Sequence, residues 1–231
     1  MLHIEHLNQY YGESHTLWDI DLTVAKGKCT CLMGRNGVGK TSLLGCIMGL
    51  LPLHSGKMLL AGAEITKLPA ERRAALGIGY VPQGRQIFPL LTVQENLEIG
   101  LATGRIKKTK IPELIFELFP VLEEMLKRRG GDLSGGQQQQ LAIGRALVLD
   151  PTLLILDEPT EGIQPNIVQE IGEIINRLKN ELSMTVLLVE QKLPFARSVA
   201  DTYAILDRGR SVATGAMETL SEQLTRKYLT V

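Results

Sequence analysis

A glycine-rich octapeptide constrains the fold of this 231-residue chain more than any other feature. It has the pattern G-x-x-x-x-G-K-T of a phosphate-binding P-loop and comprises Gly34, Arg35, Asn36, Gly37, Val38, Gly39, Lys40 and Thr41. The apolar run that precedes it, residues 29–33, favours a buried strand, and residues 42–48 after it favour a helix. Because the pattern is a site only between a strand and a helix, this context predicts a cradle for phosphates.

The chemistry of such a loop follows from its backbone. Glycines permit conformations in which consecutive N–H groups converge on an anion, and the positive end of the following helix adds to the attraction. We expect Lys40 to contact the β- and γ-phosphates as a cation and the hydroxyl of Thr41 to ligate Mg²⁺. The alternative, a chance glycine-rich turn before a helix, is disfavoured by the flanking strand and helix.

Composition excludes several classes of protein. Basic and acidic residues are equal at 25 each, which argues against a protein that coats nucleic acid. Apolar runs such as residues 184–189 are far shorter than the roughly 18 residues that span a bilayer. The N-terminus lacks a basic region followed by an apolar core, so we expect no secretory signal and a cytoplasmic protein. The three cysteines, Cys29, Cys31 and Cys46, are expected to be buried thiols.

The order of apolar patterns predicts an α/β fold. Strands are expected over residues 2–7 (an edge strand), 18–24, 57–60, 78–81, 153–156 and 186–189, with a hairpin over 203–213 that turns at Gly209. Helices are expected over residues 69–76, 111–129 and 138–149 and from Pro165 onward, and Thr92 with Glu95 has the pattern of a capping box. The alternation of strands and helices predicts a parallel core with antiparallel strands before it and a helical insert over residues 86–148.

Two acids follow a buried strand. Residues 153–156 are apolar, and Asp157 and Glu158 come directly after them. A carboxylate at this strand end lies beside the P-loop and holds Mg²⁺ in P-loop folds, and we assign that role to Asp157. Strand alternation points Glu158 the other way, where it is suited to orient, or accept a proton from, a water that attacks the γ-phosphate. The alternative is a pair of surface acids.

A second helix start is also suited to an anion. It begins with Ser134, Gly135, Gly136 and Gln137, in which the serine is a good N-cap and the glycines expose N–H groups. Whether this helix tip reaches the same γ-phosphate as the P-loop within one chain stays open. Gln83 and Gln191 each follow a predicted strand, where they either face the metal and the water or merely cap the strand.

Taken together, these motifs resemble the ATP-binding subunit of ABC transporters over nearly the whole chain. Residues 34–41 resemble Walker A, residues 153–158 resemble Walker B, and residues 133–137 resemble the signature motif, which is highly specific to this superfamily. Gln83 falls at the Q-loop position, and Tyr11 falls where an aromatic ring stacks on adenine. The alternative for Tyr11 is packing in the core.

The resemblance implies a P-loop NTPase fold, a single ABC ATPase domain over residues 1–231. Residues 1–85 and 149–231 would form a RecA-like parallel core with an antiparallel β subdomain, and residues 86–148 a mainly helical signature subdomain. The implied ligands are ATP and Mg²⁺. The implied contacts to ATP include Ser42 after Walker A, the implied metal ligands are Thr41, Gln83 and Asp157, and the implied catalytic residues are Glu158, Gln191 and Gln83.

The resemblance further implies a head-to-tail dimer, in which each ATP lies between Walker A of one subunit and residues 134–137 of the other. Residues 86–91 and the helical insert would dock a membrane subunit. Two positions depart from the usual family pattern. Gln191 replaces a switch histidine and cannot take a charge near neutral pH. Residues 161–164 read E-G-I-Q instead of S-G-L-D, which leaves an acidic contact across the dimer unsupported.

At these two positions, the chain resembles the ATPase subunits of uptake systems for branched-chain amino acids and urea. Residues 34–39 and 159–165 are most similar to the second ATPase subunit of urea transporters. The resemblance implies a second, homologous ATPase subunit, although a homodimer is possible in isolation. It also implies two membrane-spanning permease subunits, a periplasmic solute-binding protein and a peripheral location at the cytoplasmic face of the inner membrane. Urea is the expected solute, and a branched-chain amino acid is the alternative.

Two other function classes stay open at this point. The first is a soluble ABC-type ATPase that acts on DNA or ribosomes. The absence of a long coiled coil between the P-loop and Ser134, and the single copy of the motifs, argue against it. The second is an interaction module that senses nucleotide with little turnover, which Gln191 favours and Glu158 opposes.

Overall fold

A computed structural model of the protein describes residues 1–101 and 109–229. Its strands are β1 (Leu2–Tyr11), β2 (Ser14–Val24), β3 (Cys29–Met33), β4 (Ser55–Leu60), β5 (Ala63–Glu64), β6 (Ile78–Val81), β7 (Leu153–Asp157), β8 (Thr185–Val189), β9 (Thr202–Asp207) and β10 (Arg210–Ala216). Its helices are α1 (Lys40–Met48), α2 (Ala70–Ala75), α3 (Val93–Glu98), α4 (Glu113–Leu118), α5 (Pro120–Glu124), α6 (Gly135–Val148), α7 (Pro165–Asn180), α8 (Leu193–Val199) and α9 (Glu222–Tyr228).

The larger sheet has six strands in the order β10-β9-β3-β8-β7-β6, and only β10 pairs antiparallel. Every residue of β3, β7 and β8 is buried, as expected for parallel strands that are covered on both faces. The prediction of a parallel core is confirmed. Because parallel strands end at the same edge of the sheet, the segments that follow β3, β7 and β8 meet there.

The smaller sheet is antiparallel, in the order β2-β1-β4-β5. The sequence predicted residues 2–7 as an edge strand, and this prediction is wrong: β1 lies between β2 and β4, with Leu2 opposite both Val24 and Leu60. In the sequence, β1 and β4 are separated by the P-loop and α1. The local alternation of apolar and polar residues therefore does not predict that these two strands pair. Leu2, Ile4 and Leu7 of β1 are buried in this position.

The prediction of one continuous helix over residues 111–129 is wrong. The region divides into α4 and α5 at Phe119, whose φ of −135° and ψ of 71° are not helical. Proline disfavours the helical conformation in the residue before it, and Pro120 therefore ends one helix and opens the next. Because α5 ends at Glu124, the basic residues 127–129 lie beyond it and do not share a helix with Glu123 and Glu124.

Other predictions for this region hold. Ile115, Leu118 and Leu122 of this region are buried in the core. The capping box of Thr92 and Glu95 at the start of α3 is confirmed, with both reciprocal hydrogen bonds present. Residues 102–108 of the predicted insert lie outside the described residues. Among the described residues, no helix has both the length and the apolarity that crossing a bilayer requires.

Two hydrophobic clusters cover the two faces of the larger sheet. One contains Cys29 and Cys31 together with residues of α6 and α7, and the other contains Cys46 together with residues of β1 and α1. All three thiols are free and buried, as predicted. Burial raises the pKa of Cys29 to about 12 and that of Cys46 to about 11, so these thiols stay protonated and pack as small apolar groups.

Candidate nucleotide site

The loop after β3 has a backbone that glycine makes possible. Gly34, Gly37 and Gly39 have φ values of 150°, 77° and 108°, a region that L side chains rarely adopt. A Cβ on Gly34 would also collide with the carbonyl oxygen of Leu206 in β9. Helix α1 begins directly after Gly39, with no side-chain cap and no acid in its first turn. Its N–H groups therefore suit an anion that comes from outside the chain.

Lys40 lies folded over this loop. Its Nζ donates to the carbonyl oxygens of Gly34 at 2.8 Å and Arg35 at 3.0 Å, and the side chain is 6% exposed. Glu158 Oε1 lies 3.8 Å from Nζ. Burial lowers the pKa of Lys40, while the charges of Glu158 and Asp157 act in the opposite direction. A cation held by neutral carbonyls at the centre of a glycine loop is suited to phosphate oxygens.

The two acids after β7 have different surroundings. Asp157 is 3% exposed, and the Tyr80 hydroxyl donates to its Oδ2 at 3.5 Å. Burial, with the neighbouring charge of Glu158, raises the pKa of Asp157 to about 6. Glu158 has a left-handed φ of 48°, and its N–H donates to the carbonyl oxygen of Val189. The strand therefore ends before Glu158, and this backbone, rather than strand alternation, sets its direction.

Gln191 and Gln83 converge on Glu158 from two other strand ends. Gln191 Nε2 donates to Glu158 Oε1 and to Asn36 Oδ1, at 2.5 and 2.6 Å. Gln83 Nε2 donates to Glu161 Oε2 at 2.8 Å and, more weakly, to Glu158 Oε2 at 3.4 Å. The structure thus brings the loops after β3, β6, β7 and β8 into one hydrogen-bonded cluster around a single carboxylate.

Tyr11 lies near the start of α1. Its side chain is 51% exposed, and its hydroxyl lies 3.4 Å from Ser42 Oγ. The ring is therefore not a core residue, which was the alternative to a stacking role. An exposed ring beside the P-loop helix is placed to meet a planar base.

The tip of α6 is a capping box. Ser134 Oγ accepts from the N–H of Gln137 at 3.3 Å, and Gln137 Oε1 accepts from the N–H of Ser134 at 2.9 Å. A Cβ on Gly135 would lie 3.2 Å from both terminal nitrogens of Arg85, so the tip packs on the loop after β6. The tip opens into a cavity of about 400 Å³ that Gly162 also lines, and no P-loop residue lines it. The described part of the chain thus presents two phosphate-suited helix starts that do not share a cavity.

The family model described as "ABC transporter" matches residues 17–161, more than half of the chain. This chain belongs to the ABC transporter family. The probable branched-chain amino acid transport ATP-binding protein LivF of Archaeoglobus fulgidus is 40% identical, over 96% of this chain and 94% of its own length. The high-affinity branched-chain amino acid transport ATP-binding protein BraG of Pseudomonas aeruginosa is also 40% identical, over 99% of both chains.

Solved ABC cassettes have the same fold. A bacterial ABC transporter cassette solved as a dimer has a TM-score of 0.84 and 25% identity, over 95% of this chain and all of that chain. An ABC transporter cassette in its ADP conformation has a TM-score of 0.82 and 29% identity, over 97% of this chain and 94% of that chain. This ABC ATPase therefore has the P-loop NTPase fold, binds ATP with Mg²⁺ and hydrolyses ATP.

The donors of this ABC ATPase fit a metal that is shared with phosphates. No cluster of three or more acidic, histidine or cysteine side chains that could hold a metal lies among the described residues. Asp157, whose side chain is buried at the strand end, would instead offer one carboxylate, and the hydroxyl of Thr41 and the side-chain oxygen of Gln83 are candidate further donors. Mg²⁺ is commonly bound by one or two carboxylates, water and substrate phosphates rather than by an all-protein cage.

The sequence reasoning missed Glu190, which follows β8 and is 3% exposed. Both of its carboxylate oxygens accept hydrogen bonds from the loops around the ATPase site. The sequence did contain a signal, since a carboxylate directly after a buried parallel strand is costly unless it has partners. The identity of those partners, such as Thr160 on another loop, required the structure.

Proposed function

We propose that this ABC ATPase powers a membrane importer and acts as one half of a head-to-tail pair. The observation that carries the pairing is the separation of its two helix starts. The P-loop with Lys40 and the tip of α6 with Ser134 are both suited to phosphate, yet the tip opens into a cavity that the P-loop does not line. A second ATPase chain would supply the missing half of each site, and the similarity to a cassette solved as a dimer supports this arrangement.

The residue roles in this proposal follow the contacts. ATP would be held by Tyr11, Gly34, Arg35, Asn36, Gly37, Val38, Gly39, Lys40, Thr41 and Ser42 of one chain and by Ser134, Gly135, Gly136 and Gln137 of the other. Thr41, Asp157 and Gln83 would hold Mg²⁺. When bound, this ion offsets negative charge on the phosphates. Residues 1–231 would act as one ATPase domain, with 1–85 and 149–231 as the core and 86–148 as the signature subdomain.

Glu158 would orient the attacking water and accept its proton as phosphate leaves ADP. Its carboxylate is the acceptor on which Gln191 and Gln83 converge, and a carboxylate at this position is suited to act as a base. Gln191 would sense the γ-phosphate through its amide, because it also contacts Asn36 of the P-loop. As a neutral donor, Gln191 adds no charge near neutral pH, which leaves proton transfer to Glu158.

The proposed assembly contains a second, homologous ATPase subunit, two membrane-spanning permease subunits and a periplasmic solute-binding protein, with no nucleic acid. The ATPase would lie at the cytoplasmic face of the membrane as a peripheral subunit. Residues 86–91 would dock the permease, and the exposed side chains of Phe88 (42%) and Leu90 (80%) support an apolar contact there. The transport names of LivF and BraG support the permease partners.

For the solute, the comparisons favour a branched-chain amino acid, since LivF and BraG both carry that name. Urea is the second candidate, and the observation that favours it is the resemblance of residues 34–39 and 159–165 to the urea transporter subunit. The solute does not enter this subunit in the proposed assembly, so its residues do not read the solute directly.

Copurification with the permease and solute-binding subunits tests the proposal. Steady-state phosphate release would be measured in membranes with leucine and, separately, with urea, and a Glu158→Gln complex would serve as the blank. We expect leucine to stimulate turnover. Stimulation by urea alone would select the second candidate, and failure of the chain to copurify with any permease would contradict the importer. Tight, salt-sensitive binding of nucleic acid would instead support an ATPase that acts on DNA or ribosomes.

A further inference from the structure

We propose that Glu190 is a positioning residue for ATP hydrolysis. Its buried carboxylate fixes the loop that carries Gln191 and joins that loop to the one that begins at Glu158. The inference rests on the proposed role of Gln191 as a sensor of the γ-phosphate, and it goes beyond that role by naming what holds the sensor in place.

The first observation is the set of donors around the carboxylate. Glu190 Oε1 accepts from the backbone N–H groups of Gln191 at 2.8 Å and Lys192 at 2.9 Å. Its Oε2 accepts from the hydroxyl of Thr160 at 2.7 Å, and Thr160 is fully buried. A carboxylate that is 3% exposed is costly to bury without partners, and three donors offset that cost. The three donors therefore satisfy both oxygens of this buried carboxylate.

The second observation is that the same two loops are joined again on the other side. Lys192 Nζ donates to the carbonyl oxygen of Thr160 at 2.9 Å. The segments Glu190–Lys192 and Thr160 thus form a closed ring of hydrogen bonds between the loops after β8 and β7. Backbone groups in such a ring have little freedom, because a rotation at Gln191 breaks a hydrogen bond to a buried charge.

The third observation concerns the residues that adjoin this ring of hydrogen bonds. The N–H of Gln191 is fixed by Glu190, and the side chain of the same residue reaches Asn36 and Glu158. Thr160 precedes Gly162, which lines the cavity at the tip of α6. Glu190 therefore connects the residue that contacts the catalytic carboxylate with the segment beside the second phosphate-suited helix start.

Steady-state ATPase kinetics of the assembled importer test this inference through a double-mutant cycle. Glu190→Ala, Gln191→Ala and the double variant would be compared with wild type, with the ATP dissociation constant measured for each. We expect Glu190→Ala to lower kcat about tenfold, the effect of losing a hydrogen bond to a charged group, with ATP affinity changed less than about twofold. The double variant should be no slower than Gln191→Ala by more than about twofold, because both changes remove one function.

Three further variants keep the test valid if Glu190→Ala folds poorly. Thr160→Val preserves shape but removes the hydroxyl, and Thr160→Ser preserves the hydroxyl. We expect Thr160→Val to lower kcat and Thr160→Ser to retain it. Glu190→Gln keeps an oxygen for the two backbone N–H groups and should also retain most of the turnover.

Asp201→Asn is the matched control. Asp201 Oδ2 likewise accepts a backbone N–H, that of Cys29 at 2.8 Å, but it lies at the opposite end of the sheet. This variant should lower the melting temperature and leave kcat unchanged.

The outcomes distinguish failure of the positioning role of Glu190 from failure of the proposed sensor role of Gln191. Loss of kcat in Gln191→Ala together with normal kcat in Glu190→Ala and Thr160→Val would overturn the positioning role alone. Additive losses in the double variant would overturn it as well, because they would show a merely structural effect. Unchanged kcat in Gln191→Ala would overturn the sensor role and the inference with it.

Discussion

Asp157 and Glu158 are neighbours in the chain, but their surroundings separate their chemistry. Asp157 is buried, with a pKa raised to about 6 by burial and by the charge of Glu158. Glu158 lies beyond the end of β7 and meets Lys40 and Gln191. A buried carboxylate that is destabilised without a cation is suited to bind one, and a carboxylate held by donors beside the phosphate site is suited to act on water. This division of roles leads to two predictions.

The first prediction concerns Asp157 without Mg²⁺. Because the pKa of Asp157 in the folded protein is about 6, above its ordinary 3.8, its stabilising contribution is present at low pH and is lost as the pH rises through 6. Asp157→Asn should therefore stabilise the protein at pH 8 in EDTA, by on the order of 2 kcal/mol. The gain should shrink at pH 5.

Thermal unfolding measures this effect directly, and Mg²⁺ with ATP provides the functional control. The added ligands should raise the melting temperature of wild type more than that of Asp157→Asn. An Asp157→Asn protein that is less stable than wild type at pH 8 in EDTA would contradict the assignment of Asp157 as a buried carboxylate that destabilises the protein until it binds a cation.

The second prediction concerns Glu158. Glu158→Gln keeps the size of the side chain but cannot accept a proton, so kcat should fall at least about 100-fold while ATP affinity stays within a few-fold. Phosphate release and nucleotide titration measure the two quantities. Glu161→Gln is the control, since Glu161 also accepts from Gln83 but does not contact Gln191 or Lys40 in the hydrogen bonds and ion pairs of the described residues. Turnover by Glu158→Gln at the wild-type rate would refute the role.

At the scale of elements, the N-termini of α1 and α6 supply the backbone N–H groups of the proposed nucleotide site. Helix α1 begins without a side-chain cap, which leaves its N–H groups for an external anion. Helix α6 begins with a capping box at Ser134, and α3 begins with a capping box of the same kind at Thr92. The two boxes have the same local geometry, but only the one on α6 lies at a proposed nucleotide contact. They therefore form a natural pair of controls.

The third prediction compares Ser134→Ala with Thr92→Ala. Each loses an N-cap hydrogen bond, so each should cost about 1 kcal/mol of stability. Only Ser134→Ala should also lower ATPase turnover, because only Ser134 is proposed to reach the γ-phosphate of a neighbouring chain. Chemical unfolding and phosphate release measure the two effects. An equal loss of turnover in both variants would assign the effect to stability rather than to contact with nucleotide.

The elements that the sequence predicted well are those with local causes. The strand at residues 29–33, the P-loop and α1 follow from an apolar run, glycines and a helical pattern in one continuous segment. The capping box at Thr92 and the proline at the start of α7 are similarly local. The sequence pattern also identified a helical region over residues 111–129, although it overlooked the break that Pro120 makes.

The features that the sequence did not yield depend on distant partners. The central place of β1 follows from pairing with β4, which lies beyond the P-loop helix in the chain. The contact of Gln83 with Glu161 and the contact of Glu190 with Thr160 join separate loops of the sheet edge. Periodicity reports which face of an element is buried, but it does not report which loops meet, so Glu190 was missed although Gln191 beside it was identified.

At the scale of the whole molecule, the fold divides the groups that are suited to bind phosphate between two places. The edge of the parallel sheet gathers Lys40, Asp157, Glu158 and Gln191, while the tip of α6 opens elsewhere, beside Gly162. In the proposed function, a chain of this form completes a site with a neighbour, and the opening and closing of that pair would transmit hydrolysis to the permease.

The fourth prediction tests this division by mixing two inactive variants. Lys40→Ala damages the P-loop half, and Gly135→Asp damages the α6 half, so each pure variant has no intact site. In a mixed head-to-tail dimer, one site combines both lesions and the other combines two intact halves. A one-to-one mixture should therefore recover about a quarter of wild-type turnover if chains pair at random and sites act independently. The measurement is phosphate release in a preparation where wild type is active. Recovery near a quarter supports a site shared between chains, and no recovery from two folded, dimeric variants would contradict it.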